Sequence, residues 1–145
     1  MSFKMDRVHI WSCEVRDEVG GVAKTLSALA EAGSNLDYVY TQRNPSKPGE
    51  GTLYVSPLTT PEQIRLARSI GMAETFDPVV MRLEGDNTAG LAHRVKIEWA
   101  KAGINLHGSI LGVLGGRFLG YVTFDSVDDA NRAVRILAEI GIAHV

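Results

Sequence analysis

The chain is poor in the residues that mark a chemical site. Cysteine occurs once, at Cys13, in 145 residues, so no internal disulfide can form. A lone thiol in an apolar, β-prone stretch reads as a buried strand residue. His9, His93, His107 and His144 are scattered and show none of the H-x-x-x-H or C-x-x-C spacings that hold a metal. A Gly-x-Ser-x-Gly elbow and a phosphate-binding P-loop are both missing. No apolar run approaches the ~20 residues of a membrane span. Met1-Ser2-Phe3-Lys4 opens no signal-peptide core, which makes a cytoplasmic location the expectation. Charge of one sign is lacking as well: the net charge is −2, spread over both halves, and no basic stretch invites nucleic acid.

What is present is one unit written twice. At an offset of 70 residues, Ala32-Gly33-Ser34-Asn35-Leu36 falls on Ala102-Gly103-Ile104-Asn105-Leu106. Glu14 falls on Glu84, Gly20 on Gly90, Lys24 on Arg94 and Ala30 on Ala100. The ends coincide too, Ile70-Gly71-Met72-Ala73 over Ile140-Gly141-Ile142-Ala143. Two copies of so long a period imply two small domains, residues 1–77 and 78–145, and not a solenoid. Domains of ~70 residues bury little core alone, so each half should lean on the other or on a second chain.

Within each copy the apolar period changes in the same order. Val8–Val15 reads as a strand. Val19, Val22, Ala23, Leu26, Leu29 and Ala30 then form a helical stripe that should stop at Gly33. Leu36–Gln42 and Gly51–Pro57 read as strands, joined by the Pro- and Gly-rich loop 44–49. Thr60-Pro61-Glu62-Gln63 is a helix start with a capping box. That helix ends at Gly71, before a short strand near Met72–Phe76. The second copy repeats the plan. Val79–Leu83 is a strand, Leu91, Ala92, Val95 and Trp99 stripe a helix ending at Gly103, and Leu106–Leu114 and Phe118–Phe124 flank a tight Gly115-Gly116 turn. Ser126 caps a helix ending at Gly141, and Ile142–Val145 is the last strand. The fold class is α+β: two tandem ferredoxin-like βαββαβ units, antiparallel sheets with helices on one face.

That fold serves many functions, so the site must decide. The run Asp17-Glu18-Val19-Gly20-Gly21-Val22-Ala23-Lys24, followed by Leu29-Ala30-Glu31-Ala32-Gly33-Ser34-Asn35-Leu36, resembles an ACT domain. So does Asp86-Asn87-Thr88-Ala89-Gly90-Leu91-Ala92-His93-Arg94-Val95 with Ala102-Gly103-Ile104-Asn105-Leu106. The family's loop commonly carries proline before the glycine, where this chain has Val19 and Ala89. The resemblance spans the whole chain and implies a regulatory module that binds a small molecule, most often an amino acid. In the family the ligand lies where the loop after the first strand meets the second strand of a neighbouring ACT unit. Carried over, the site comprises Asp17, Glu18, Val19, Gly20, Asn35 and Leu36 in one copy. In the other it comprises Asp86, Asn87, Thr88, Ala89, Gly90, Asn105 and Leu106. A helix N-terminus seats a carboxylate, glycine lets the backbone approach, and Asp17, Asp86 or Asn87 would receive an ammonium group. No cofactor, metal or catalytic residue is called for. Uncovered sheet edges make a homodimer the expected assembly.

Three other readings compete. An enzyme finds no constellation of catalytic residues, and a regulated enzyme would need a further domain. An RNA-recognition module shares the element order, and Arg117-Phe118-Leu119-Gly120-Tyr121-Val122-Thr123-Phe124 partly matches its RNP1 strand. Yet Leu119 replaces a stacking aromatic and Val79–Leu83 supplies none. The runner-up is an ACT pair without a ligand that only mediates protein association.

Overall fold

The computed structural model describes residues 3–144, in which seven strands and four helices are present. In chain order they are β1 (Phe3–Arg16), α1 (Gly21–Glu31), β2 (Tyr38–Arg43), β3 (Glu50–Ser56), α2 (Pro61–Ser69) and β4 (Ala73–Asp86). Then follow α3 (Leu91–Lys101), β5 (Leu106–Leu114), β6 (Arg117–Phe124), α4 (Val127–Glu139) and β7 (Ala143–His144). The fold class is the expected α+β arrangement. Val145, at the end of the expected last strand, lies outside the described residues.

The described chain divides into two compact units, His9–Phe76 (the first unit) and residues 3–8 with 77–144 (the second unit). In the first, β3 pairs antiparallel with both β1 and β2, placing Cys13 opposite Leu53 and Val39 opposite Val55. Trp11, Cys13, Val15, Leu53 and Val55 alternate inward from the strands and meet Leu29 and Ala67 from the helices. In the second, β6 pairs antiparallel with β4 and β5, placing Leu83 opposite Gly120 and Ser109 opposite Val122. Its core gathers Met81, Leu83, Val122 and Phe124 against Trp99, Ala133 and Leu137. The start of β1 belongs here, Phe3 pairing parallel with Ala143 of β7. Each fully buried large apolar side chain contributes about 1.5–3 kcal/mol, so period-two burial on the strands fixes both registers.

The helix ends follow sequence chemistry closely. All four helices close with a left-handed glycine, Gly33, Gly71, Gly103 or Gly141, and the paired return bonds of a Schellman turn. In α1 these run from Ser34 N–H to Leu29 O and from Gly33 N–H to Ala30 O. Thr60 caps α2 and Gln63 closes the box; Ser126 caps α4, its Oγ accepting from Asp129 N–H at 3.1 Å. Gly115 and Gly116 turn with φ of 59° and 79°, the pair of positive angles a two-residue hairpin requires.

Two strand expectations fall short of the observed lengths. β1 begins at Phe3, not Val8, and the separate strands near Met72–Phe76 and Val79–Leu83 are one continuous β4. Pro78 lies within this strand; a proline lacks only its own N–H and suits a strand where that bond is not needed. One helix expectation is corrected too. Val19 does not join the α1 stripe; it precedes the helix and is fully exposed.

Candidate functional site

Most of the expected site residues lie at matching loops, one in each unit. Residues 17–20 connect β1 to α1 and residues 87–90 connect β4 to α3. Both loops fold alike. Gly21 N–H donates to Glu18 O at 3.1 Å, and Leu91 N–H to Thr88 O at 3.2 Å. Gly20 and Gly90 sit at the N-cap with φ of 83° and 78°, a conformation that costs an L-residue with a Cβ about 1–2 kcal/mol. Each glycine carbonyl accepts the first helical bond, from Lys24 N–H at 3.0 Å and Arg94 N–H at 2.9 Å.

The consequence is an open helix start. An ordinary N-cap side chain would satisfy one of the early N–H groups. Thr60 and Ser126 do so for α2 and α4, whereas no side chain caps α1 or α3. The N–H groups of Val22 and Ala23, and of Ala92 and His93, therefore face outward beside the positive end of the helix dipole.

The flanking carboxylates are already engaged. Asp17 accepts from Arg43 Nε at 2.5 Å, and Asp86 from Arg117 Nη1 at 2.9 Å. The Asp17 bond, followed by its charge, pushes the Arg43 guanidinium above its ordinary value. Both pairs are exposed and tie a loop to a neighbouring strand more than they stabilise the fold. Asn87 donates its backbone N–H to Gly116 O at 2.9 Å, as Asp17 does to Gly49 O at 3.0 Å. Glu18, Val19 and Ala89 are exposed, and Thr88 is half-buried.

The remaining expected residues divide. Asn35 and Asn105 are exposed between helix and strand. Leu36 and Leu106 are half-buried and pack against the two cores, so their side chains serve the fold. Gly21 is a residue that sequence reasoning missed. A Cβ there would stand 2.3 Å from Arg16 O, so the first loop folds back onto its strand more tightly than a side chain would permit. The Gly-Gly pair was the available signal. Among the described residues no group of three His, Cys, Asp or Glu is placed to hold a metal. No described helix is long and apolar enough to cross a membrane.

No protein-family model matches the sequence, and no curated protein matches it. Solved structures do. A protein from Bacteroides thetaiotaomicron aligns over 94% of this chain and 90% of its own with a TM-score of 0.74 at 14% identity. The ligand-free regulatory subunit of aspartate kinase from Thermus thermophilus aligns over 96% of both chains, with a TM-score of 0.62 at 16% identity. Its counterpart from Thermus flavus gives 0.59 at 18% identity, again over 96% of both chains. The chain has the fold of these regulatory subunits. That fold is the ACT-type fold that the loops and helix ends implied.

Proposed function

We propose that the chain is a regulatory module, not an enzyme, that binds a small molecule of the amino-acid class at residues 17–20 and 86–90. One observation carries this reading. Of the four helices, the two that follow a first strand, and only those, begin at a left-handed glycine with no capping side chain. The early N–H groups are thereby left for a carboxylate. Regulatory subunits of aspartate kinase share the fold, which supports regulation over catalysis. Because Asp17 and Asp86 are paired with arginines, an incoming ammonium group would compete with Arg43 or Arg117, making occupancy salt-sensitive.

The acting species in this reading is a homodimer. Among the described residues strand β5 has one ladder, to β6, and exposes Ile110, Val113 and Leu114, an apolar edge that a second copy would cover. A ligand held jointly by a loop and a neighbouring copy would favour only the arrangement in which both contacts form. The same strand favours a second reading, an assembly scaffold without a ligand.

A thermal-shift screen against the twenty amino acids separates the two. A ligand at 100 times its Kd adds about 2.7 kcal/mol. Gly20→Asn and Gly90→Asn place a side chain before the open amides while tolerating the left-handed conformation. The expected result is a selective upward shift that these variants lose with circular dichroism unchanged. A flat screen, or a hit that survives both substitutions, removes the loops as the site.

A further inference from the structure

The second unit contains a cleft of about 140 Å³ between α3 and strands β5 and β6. Its floor is Leu83, Gly120 and Val122, its back wall Val95 and Trp99, and its outer lip Ile110 and Leu111. Two polar side chains line it, Lys96 and Ser109, and Lys96 Nζ donates to Ser109 Oγ at 2.9 Å. Among the described residues no carboxylate belongs to the lining.

The first unit shows why this space exists. Cys13 and Leu83 correspond at the 70-residue offset, and their strand partners are Leu53 and Gly120. Leu53 is fully buried in the first core, so the second unit has no side chain where the first has a leucine. Leu26 packs on the first core, and its counterpart in the second unit is Lys96. Val39 opposite Val55 corresponds to Ser109 opposite Val122. Three apolar positions of one unit have thus become a void, a cation and a hydroxyl around one cleft. An apolar hole of ~150 Å³ takes up a benzene-sized molecule, and an ammonium at its mouth selects an anionic head.

We infer that this cleft binds a small monocarboxylate with an apolar tail of branched or aromatic carbon, the tail over Gly120 against Trp99 and the carboxylate on Lys96 and Ser109. Among the described lining residues no carboxylate balances an α-ammonium, and the Lys96 ammonium repels one, so the zwitterionic amino acid with the same tail is the poorer ligand. The site goes beyond the loop site proposed above and stands or falls separately from it.

The probe is 4-methylpentanoate, followed by NMR of the intact protein. Trp99 Nε1–H donates to Ala133 O at 3.1 Å and reports the cleft, while Trp11, in the first unit, is the control in the same spectrum. Saturable shifts of the Trp99 indole and of the amides of Lys96, Ser109 and Gly120 are expected, with Trp11 unmoved. The corresponding alcohol and leucine should bind at least about tenfold more weakly. Lys96→Met should bring the acid down to the affinity of the alcohol. Gly120→Leu should abolish binding. If that variant fails to fold, Gly120→Ala, whose Cβ would meet Ile110 O at 3.3 Å, should weaken it.

The proposal is overturned by no saturable shift up to about 10 mM, by equal affinity for acid and alcohol, or by unchanged affinity in the Gly120 variants. Shifts confined to the amides near Gly20 and Gly90 would overturn it as well, and would favour the loop site.

Discussion

The two units follow one plan and differ in how they are filled. The first closes its core with leucines, Leu26, Leu29 and Leu53; the corresponding positions of the second hold Lys96, Trp99 and Gly120. Trp99 offsets part of the loss. Its indole is almost fully buried, meets Phe124 edge-on at 5.4 Å and donates a hydrogen bond to the α4 backbone. The lesson is a separation of roles. Helix ends and strand registers, set by glycines, caps and period-two burial, are the same in both units. Side chains between helix and sheet have diverged without disturbing them. A fold held at its turns can turn part of a core into a cleft.

Breaking that comparison should cost most at Trp99, the largest fully buried side chain of the second core. Trp99→Ala should destabilise the second unit by about 4 kcal/mol, read as a lower urea midpoint. Leu53→Ala should cost the first unit about 3 kcal/mol and open there the space that Gly120 leaves in the second. A Leu53→Ala loss below about 1 kcal/mol would mean that the first unit collapses around the gap, and the contrast between the units would lose its basis. Next come the helix starts. Ser126→Ala and Thr60→Ala should each cost about 1 kcal/mol, because a hydroxyl caps each helix and Gln63 also depends on Thr60. Gly90→Asn should leave the melting temperature nearly unchanged, since α3 has no cap to lose.

The parts legible in the sequence were those fixed by local chemistry. Gly33, Gly71, Gly103 and Gly141 end helices because only a residue free of a Cβ takes the left-handed turn cheaply, and that demand is local. Thr60 and Ser126 announced their helices for the same reason. The placement of Gly20 and Gly90 at helix starts was legible through the repeat. The strand limits were not. Phe3 is in a strand because it pairs with Ala143, a partner far along the chain, and no periodicity near residue 3 records that. Val19 looked helical because its spacing to Val22 and Ala23 fits the stripe, yet the glycine after it turns the chain first. The cleft was hidden by arithmetic. β2 and β5 match at an offset of 70, but the loop 44–49 is longer than the Gly115-Gly116 turn, so β3 and β6 match at 67. At the wrong offset Gly120 falls on Glu50 rather than Leu53, and the missing leucine disappears from view.

The smallest expected effect concerns Cys13, the counterpart of Leu83. Burial pushes its thiol above the ordinary value of 9.0, because the thiolate would lose its water within the first core. The folded state thus favours the protonated form. The stabilisation this gives is fully present below the unfolded thiol's pKa and is lost as pH rises through the folded one. At pH 8 the folded protein should react with a disulfide reagent at least about tenfold more slowly than the same chain in urea, since the thiolate is the nucleophile. Cys13→Ser should sharpen the comparison by placing a hydroxyl among Trp11, Leu53 and Val55, where a hydrogen-bond partner is harder to find than for sulfur. If the thiol instead reacts at the unfolded rate, the first unit opens readily around β1 and β3. The better-filled core would then be the looser one, the reverse of what Leu53 and Gly120 imply.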